Sequence, residues 1–168
     1  MLIFKYFDTP IGEMIAVSND FGICLLDFRD RKDINTVLRR LECGYGDVIK
    51  AGHNEHLDLL TQELTAYFRG KLTQFSVNVI TQGTHYQKEV WSALQLIPYG
   101  HTQTYGDIAK AIQNPKSVRA VGGASGNNTN AIIIPCHRVI GANGKLTGYA
   151  GGLWRKEWLL KHEMRESF

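Results

Sequence analysis

The chain has 168 residues, enough for one ordinary domain or for two small domains that share an interface. Hydrophobic residues make up 43% and charged residues 21% of the sequence, which is normal for a soluble globular protein. Residues 1–100 hold 10 Lys and Arg against 12 Asp and Glu, whereas residues 101–168 hold 9 against 4. The basic C-terminal part favours a polyanionic partner, although a solvated basic face explains the charge about as well.

Several classes of protein are excluded at this point. No apolar run approaches the roughly 20 residues needed to cross a bilayer, and residues 1–5 lack the features of a signal peptide. Cys24, Cys43 and Cys136 cannot all pair, and their spacing suggests no disulfide framework. We therefore expect a cytoplasmic protein that does not bind membranes and whose cysteines act as thiols.

The N-terminal part is predicted to mix strands and helices. Three apolar runs separated by turn signals predict strands: Leu2–Asp8, Met14–Ser18 and Ile23–Phe28. A short helix is predicted over Asp33–Leu41 and a longer one over Asn54–Arg69, with Asn54 as its cap. Alternating apolar residues predict a further strand over Phe75–Val79. Residues 1–83 are therefore expected to form a small α/β support module with an antiparallel sheet.

The C-terminal part, residues 84–168, is predicted to be mostly helical, so that the whole chain has an α+β fold. Capping residues mark the starts of three helices: Thr84 with Gln87, Thr104 with Asp107, and Ser117. The second and third of these helices, joined by a tight connection, are a candidate helix-turn-helix. Leu153–His162 is predicted to form a terminal helix with Trp154, Trp158 and Leu159 available for packing.

The helix that begins at Ser117 is unusual because it contains glycine at three positions, 122, 123 and 126. Each glycine inside a helix costs about 1 kcal/mol relative to alanine. A face without side chains lets another surface approach the backbone, although tight packing on a neighbouring helix explains the glycines slightly better. Arg119 lies near the helix start, where a cation opposes the helix dipole, and this favours a functional arginine.

A polar insert between two apolar runs begins with Cys136, followed by His137 and Arg138. Buried cysteines are usually inert, but both neighbours can favour the thiolate that nucleophilic chemistry needs. Adjacent residues of an extended segment point in opposite directions, so a bridging water or a sharp turn would have to connect the thiol and the imidazole. A basic His137 also needs an orienting acceptor, for which the spacing leaves Glu157 and Glu163 open.

A loop at residues 141–152 contains five glycines and suits a ligand-binding segment on which Tyr149 could stack, although an ordinary mobile loop is almost as good an explanation. The sequence contains no C-x-x-C or H-E-x-x-H spacing, and His53 and His56 fit an exposed helix start better than a metal site. A phosphate-binding glycine loop is also absent. We predict neither a metal nor a cofactor.

Three blocks together resemble the methylated-DNA–protein-cysteine methyltransferases: Pro135-Cys136-His137-Arg138-Val139, Arg119-Ala120-Val121-Gly122-Gly123-Ala124 and Gly148-Tyr149-Ala150-Gly151-Gly152-Leu153. The similarity runs from about Tyr86 to Glu163. The resemblance implies DNA repair by irreversible, single-turnover transfer of an alkyl group from O6-alkylguanine, or from O4-alkylthymine, to Cys136. It also implies a monomer that binds double-stranded DNA largely without sequence specificity.

Roles for individual residues follow from the resemblance. Cys136 would accept the alkyl group, His137 would act as base through a water, and Glu163 would orient His137. Tyr105 would help the guanine leave, and Arg119 would enter the base stack after the lesion flips out. The second helix of the helix-turn-helix would lie in the minor groove, and Asn128 would be the hinge between it and the cysteine loop. The remaining DNA-binding and base-pocket residues would be Ala120, Gly122, Gly123 and Ala124, and Tyr149, Ala150 and Gly151.

Two departures from the family pattern matter. Relatives often have serine at the position of Ala150, so a hydroxyl contact to guanine is missing here. Zinc-binding members of the family use an N-terminal cluster that contains two cysteines. Only Cys24 and His85 suggest such a cluster here, so no metal is predicted.

Two other classes of function remain open at this stage. A DNA-binding regulator is disfavoured because the second helix lacks base-reading side chains, and a lesion sensor is disfavoured by the intact Cys136. A cysteine hydrolase would turn over many times, whereas an alkyltransferase stops after one equivalent, so counting turnovers separates these two functions.

Overall fold

The computed structural model describes residues 1–165, and the chain divides into two compact units with the boundary between Gln82 and Gly83. The N-terminal unit contains a four-stranded sheet in the order β3-β2-β1-β4 and two helices. Its elements are β1 (Leu2–Thr9), β2 (Gly12–Ser18), β3 (Ile23–Phe28), α1 (Ile34–Tyr45), β4 (Ile49–Ala51) and α2 (Glu55–Phe68). The α+β fold is confirmed.

The three predicted strands form an antiparallel meander, as expected. Gly12, at φ 111°, makes the tight turn between β1 and β2 that a residue with a side chain would strain. The sheet is nevertheless mixed, because β4 adds to β1 in parallel over three residues and was not predicted. Its buried face packs with α1 around a core that includes Leu2, Ile15, Val17, Leu25, Val37 and Leu41.

The predicted strand at Phe75–Val79 is wrong. Only one isolated bridge forms there, between Val79 and Ile23. The backbone N–H groups of Ser76 and Val77 donate instead to the buried carboxylate of Glu63, at 3.0 Å. Because a side chain of α2 satisfies these donors, the segment has no need of a strand partner.

The C-terminal unit is mostly helical. Its elements are α3 (His85–Gln95), β5 (Gln103–Thr104), α4 (Tyr105–Ala111), α5 (Val118–Gly126), β6 (Val139–Ile140) and α6 (Leu153–Arg165). The capping boxes at Thr84 and Thr104 are confirmed, and α4 and α5 form the predicted pair of short helices. Ser117 is the N-cap residue of α5 as predicted, but its side chain makes no capping bond, because its hydroxyl donates to the carbonyl of Asn114 and accepts from Tyr86.

The face of α6 that packs inward also differs from the prediction. Leu159 packs inward as predicted, but Trp154 is 56% exposed, and the buried side of the helix also includes Arg155 and Lys156. Two cations therefore lie where an apolar stripe was expected, which requires hydrogen-bond partners for both. Arg155 donates to the carbonyl of Gly151 at 3.1 Å, and the partners of Lys156 belong to the site described below.

Within residues 1–165, no helix is long and apolar enough to cross a bilayer. The same residues contain no group of three or more His, Cys, Asp or Glu side chains that could hold a metal ion. Cys24, Cys43 and Cys136 are thiols that no disulfide joins, and Cys43 is the exposed one of the three.

Candidate active site

Cys136 lies at the start of a short 3-10 turn, Cys136–Arg138, that precedes β6. The turn supplies the sharp change of direction that the sequence required between the cysteine and the histidine. Cys136 is 8% exposed and His137 is fully buried. Four residues earlier, Ile132 has a φ of 73°, a conformation that β-branched residues rarely adopt, so the segment leading to the cysteine is strained.

The side-chain amide of Asn128 holds the cysteine from the end of α5. Its nitrogen donates to the carbonyl of Ile134 at 2.9 Å and to the sulfur of Cys136 at 3.2 Å. Its oxygen accepts from the backbone N–H of Asn130, which fixes the orientation of the amide. A donor aimed at sulfur stabilises the thiolate relative to the thiol. Asn128 is buried, and its amide connects the end of α5 to the cysteine segment, which is the position expected for the hinge residue.

Glu163 is the orienting acceptor that the sequence left open. His137 donates through Nε2 to its carboxylate at 2.7 Å, and Arg138 donates to the same carboxylate at 2.7 and 3.1 Å. A third Arg138 bond reaches the carbonyl of Ile97. Glu157 is exposed and pairs with Lys161 on the surface. Arg138 therefore forms an ion pair with Glu163, whereas its position in the sequence suggested that it stabilises the thiolate of Cys136.

The protonation of this buried group follows from its contacts. Burial disfavours the charged form of Glu163, but His137 and Arg138 outweigh this and lower the pKa of the carboxyl below its ordinary 4.5. Burial is also the largest influence on His137 and lowers the pKa of its imidazole, against the opposing effect of Glu163. A neutral imidazole that donates through Nε2 keeps a lone pair on Nδ1. Among the described residues, that Nδ1 is buried and has no hydrogen-bond partner.

A cavity of about 330 Å³ opens at Cys136. Its walls come from α4, α5, the cysteine turn and the glycine loop, through Tyr105, Val118, Gly122, Ser125, Gly126, Cys136, Thr147, Gly148 and Tyr149. Tyr149 therefore lines the predicted pocket. Ala150 and Gly151 were also predicted to line the pocket, but they are not among the lining residues. The chain turns back after Tyr149, and the Gly152 N–H donates to the Tyr149 carbonyl at 2.9 Å to close this turn.

Lys156 is a site residue that the sequence analysis missed. It is fully buried on α6, and its ammonium donates to the carbonyls of Thr147 and Gly148 at 2.9 and 3.3 Å. It also donates at 3.4 Å to the hydroxyl oxygen of Tyr105, whose own O–H donates to the Thr147 carbonyl at 2.9 Å. Lys156 thus fixes the glycine loop and places a positive charge beside the Tyr105 phenol.

The glycines of α5 are not required by packing within the protein. A Cβ atom added to Gly123 or Gly126 would meet nothing within 4 Å, and at Gly122 the nearest atom belongs to Tyr105 at 4.0 Å. Tight packing on a neighbouring helix therefore does not explain Gly123 or Gly126. Gly123 is exposed together with Arg119, so the bare surface of α5 faces outward.

Ala124 does not belong to that outward surface. It is 4% exposed, and its carbonyl accepts from the indole N–H of Trp91 at 2.9 Å. Its assignment as a DNA-contacting residue is therefore wrong, because it lies on the side of α5 that packs on α3. Ala120 is exposed and Gly122 is half-buried.

Comparisons with known proteins agree along the full chain. Residues 85–165 match the family described as 6-O-methylguanine DNA methyltransferase, DNA binding domain, and residues 2–81 match its ribonuclease-like domain. A methylated-DNA–protein-cysteine methyltransferase of Methanosarcina acetivorans is 45% identical over 96% of this chain and 98% of its own. One from Salmonella typhimurium is 51% identical over 92% of this chain and 91% of its own.

A solved structure, the Mycobacterium tuberculosis O6-methylguanine methyltransferase, superposes with a TM-score of 0.84 at 39% identity, covering 99% of this chain and 94% of that one. A second structure of the M. tuberculosis protein, in complex with DNA, has a TM-score of 0.84 at 38% identity over 98% of this chain and 94% of that one. Two family matches that together span nearly the whole sequence, with relatives this similar, establish the family. The chain belongs to the methylated-DNA–protein-cysteine methyltransferases.

Proposed function

We propose that this methyltransferase repairs DNA by moving the alkyl group of O6-alkylguanine onto the sulfur of Cys136. The observation that carries the assignment to Cys136 is the unpaired Nδ1 of buried His137, next in sequence to a cysteine that opens into a cavity. Because Glu163 holds Nε2, the Nδ1 lone pair is available as a base. The DNA complex of the M. tuberculosis relative supports DNA as the partner.

The first step activates the thiol. The proton of Cys136 passes through one water molecule to Nδ1 of His137, and Glu163 stabilises the imidazolium that forms. The amide N–H of Asn128 donates to the resulting thiolate at its present distance of 3.2 Å. A thiolate is the strong, soft nucleophile that displacement at an alkyl carbon needs.

The second step transfers the alkyl group. A bond forms between the sulfur and the alkyl carbon while the bond from that carbon to guanine O6 breaks, and the guanine leaves with the electron pair. The O–H of Tyr105 turns from the Thr147 carbonyl to donate to the departing base, and the Lys156 ammonium beside it favours this donation. No group that the described contacts bring to Cys136 is suited to attack the thioether, so we propose that each molecule acts once. No cofactor is needed for these bond changes.

The surface of α5 is proposed to enter the minor groove, which is about 6 Å wide. Ala120, Gly122 and Gly123 present little bulk there, and contacts to the backbone make binding largely independent of sequence. Cys136 is 8% exposed, so the lesion must leave the base stack to reach it. Arg119, which is exposed on the same helix, would fill the gap that the flipped base leaves. We propose that the protein acts as a monomer in the cytoplasm.

Intact mass spectrometry after mixing with O6-methylguanine DNA tests this function. We expect one added CH2 group per molecule, mapped to Cys136, with the exposed thiol of Cys43 unmodified as an internal control. The Cys136→Ala variant should gain no mass and should still bind DNA. A hydrolase would consume many equivalents and leave its cysteine unmodified. Modification at another residue, or continued transfer by Cys136→Ala, would disprove the proposal.

A second prediction concerns the glycines of α5. Gly123→Ala should raise the free energy of unfolding by about 1 kcal/mol, because the new methyl meets nothing and alanine is the better helix former. The same methyl should weaken duplex binding roughly tenfold, or about 1.4 kcal/mol, because it occupies space meant for the groove. Gly106→Ala on α4 is the matched control, since its Cβ makes only an ordinary contact at 3.6 Å. Thermal melts and DNA titrations measure the two effects, and unchanged duplex affinity in Gly123→Ala would place the DNA surface elsewhere.

A further inference from the structure

Ser125 is a polar wall of the cavity that the proposed reaction does not use. It lies in the last turn of α5, lines the same cavity as Cys136 and is 8% exposed. Within the described part of the chain, its hydroxyl is buried and has no hydrogen-bond partner. A serine inside a helix ordinarily satisfies its hydroxyl with the carbonyl one turn earlier, and this bond is not made here.

A buried hydroxyl without a partner destabilises the folded protein, so its presence needs an explanation. The proposed reaction uses the free Nδ1 of His137, and two further polar groups near the cysteine are engaged: Tyr105 donates to Thr147, and the Asn128 amide donates to Ile134 and Cys136. Alanine at position 125 would avoid the cost and favour the helix. A ligand that brings an oxygen to this wall would supply the missing partner.

The geometry points to the alkyl chain as that ligand. During transfer the reacting carbon lies between guanine O6 and the sulfur of Cys136, so the outer atoms of a longer chain must occupy the remaining cavity. We propose that Ser125 selects O6-alkylguanines whose alkyl group carries an oxygen beyond the reacting carbon, such as 2-hydroxyethyl. This inference rests on the proposed function. The bond changes are unchanged, and the Ser125 hydroxyl keeps its proton throughout.

The test uses two alkyl groups of nearly equal size, 2-hydroxyethyl and n-propyl, on O6 of guanine in the same duplex. Single-turnover transfer to Cys136 is measured for the unaltered protein, Ser125→Ala and Ser92→Ala, with active protein counted by end-point methylation. We expect the unaltered protein to prefer hydroxyethyl about tenfold, since a site that bonds a hydroxyl rejects the analogue lacking it. Ser125→Ala should lose that preference. Ser92→Ala, an exposed serine on α3, should keep it.

A melting curve separates this role from a purely structural one. If the hydroxyl serves only the ligand, Ser125→Ala should melt about 2–4 °C higher, whereas a hydroxyl needed by the fold would give a lower midpoint. An unchanged hydroxyethyl-to-propyl ratio in Ser125→Ala, or a lower melting temperature, would overturn the inference. Failure of any substrate to modify Cys136 would instead overturn the proposed function, so the two failures are distinguishable.

Discussion

Glu163→Gln is expected to slow methyl transfer roughly 100- to 10,000-fold and to lower the free energy of unfolding by about 3–5 kcal/mol. The carboxylate is the only charged partner that the described contacts give to buried Arg138, which donates to it at 2.7 and 3.1 Å. Removing its charge leaves a guanidinium buried without compensation. The imidazolium that forms when His137 takes the proton of Cys136 also loses its counter-charge.

The choice of tautomer adds to the loss of rate. The amide introduced by Glu163→Gln would offer one carbonyl oxygen to two donors, Nε2–H of His137 and the Arg138 guanidinium. If the amide nitrogen faces the imidazole, the hydrogen of His137 moves to Nδ1, and the atom that should accept the Cys136 proton becomes a donor. The substitution keeps the size of the side chain, so the effect is electrostatic and not a cavity.

Glu157→Gln is the matched control, since it makes the same chemical change on the same helix. That carboxylate is 53% exposed and pairs with Lys161 at 2.9 Å, so the change should alter stability by less than about 1 kcal/mol and leave the rate unaltered. Quenched single-turnover assays and urea unfolding measure both quantities. A Glu163→Gln protein that transfers methyl at the full rate would show that His137 is not the base.

The pH dependence of unfolding gives a second readout of Glu163. Its pKa is lowered in the folded protein, so its contribution to stability is complete above the ordinary value of 4.5 and is lost as the pH falls below it. His137 also has a lowered pKa, so the folded state becomes less stable as the pH falls through about 6.5, the ordinary value for the unfolded chain. In Glu163→Gln, the loss of unfolding free energy below pH 4.5 that comes from the carboxylate should be absent, and the loss that comes from His137 should remain.

The features predicted correctly from sequence are those that a few neighbouring residues decide. The capping boxes at Thr84 and Thr104 need only a hydroxyl and an acceptor three residues later, and both form. The failures depend on distant partners. The strand expected at Phe75–Val79 is replaced by contacts with Glu63 on α2, and β4 exists because β1 accepts it in parallel. Neither partner can be read from the local pattern.

The site shows the same division. Cys136 and His137 stand out by their motif, but spacing from His137 does not separate Glu163 from Glu157, which only the family resemblance and the burial of Glu163 distinguish. The helical periodicity did hold a signal, because Lys156, Leu159 and Glu163 recur at helical intervals on the buried side of α6. The unpaired hydroxyl of Ser125 had no such signal, since its lack of a partner is a property of the packed structure.

Methylation of Cys136 is expected to lower the free energy of unfolding by about 1–3 kcal/mol and the melting temperature by roughly 2–8 °C. The sulfur is buried and accepts from the amide of Asn128 at 3.2 Å. The cavity at Cys136 gives the added methyl room once the guanine has left, so the expected loss comes from the contacts of the sulfur itself. The thioether is neutral and accepts hydrogen bonds weakly, so the Asn128 contact is lost on the cysteine side.

Asn128 carries this disturbance toward α5, the helix that is proposed to bind DNA. It lies two residues after the end of α5, and its backbone N–H donates to the carbonyl of Ser125 in the last turn at 3.2 Å. Movement of its amide therefore acts on the end of the helix that is proposed to lie in the minor groove. We expect the used protein to bind duplex DNA more weakly than the unreacted protein, which would release it from repaired DNA.

Thermal melts of unreacted and stoichiometrically methylated protein, with the DNA removed, measure the change in stability. Cys136→Ala mixed with the same substrate controls for handling and should show no shift. Asn128→Ala should melt lower than the unaltered protein before reaction and lose less on methylation, because the contact that methylation breaks is already absent. A midpoint that stays the same or rises after methylation would contradict the expected loss of stability. Equal losses in the unaltered protein and in Asn128→Ala would remove Asn128 as the link to α5.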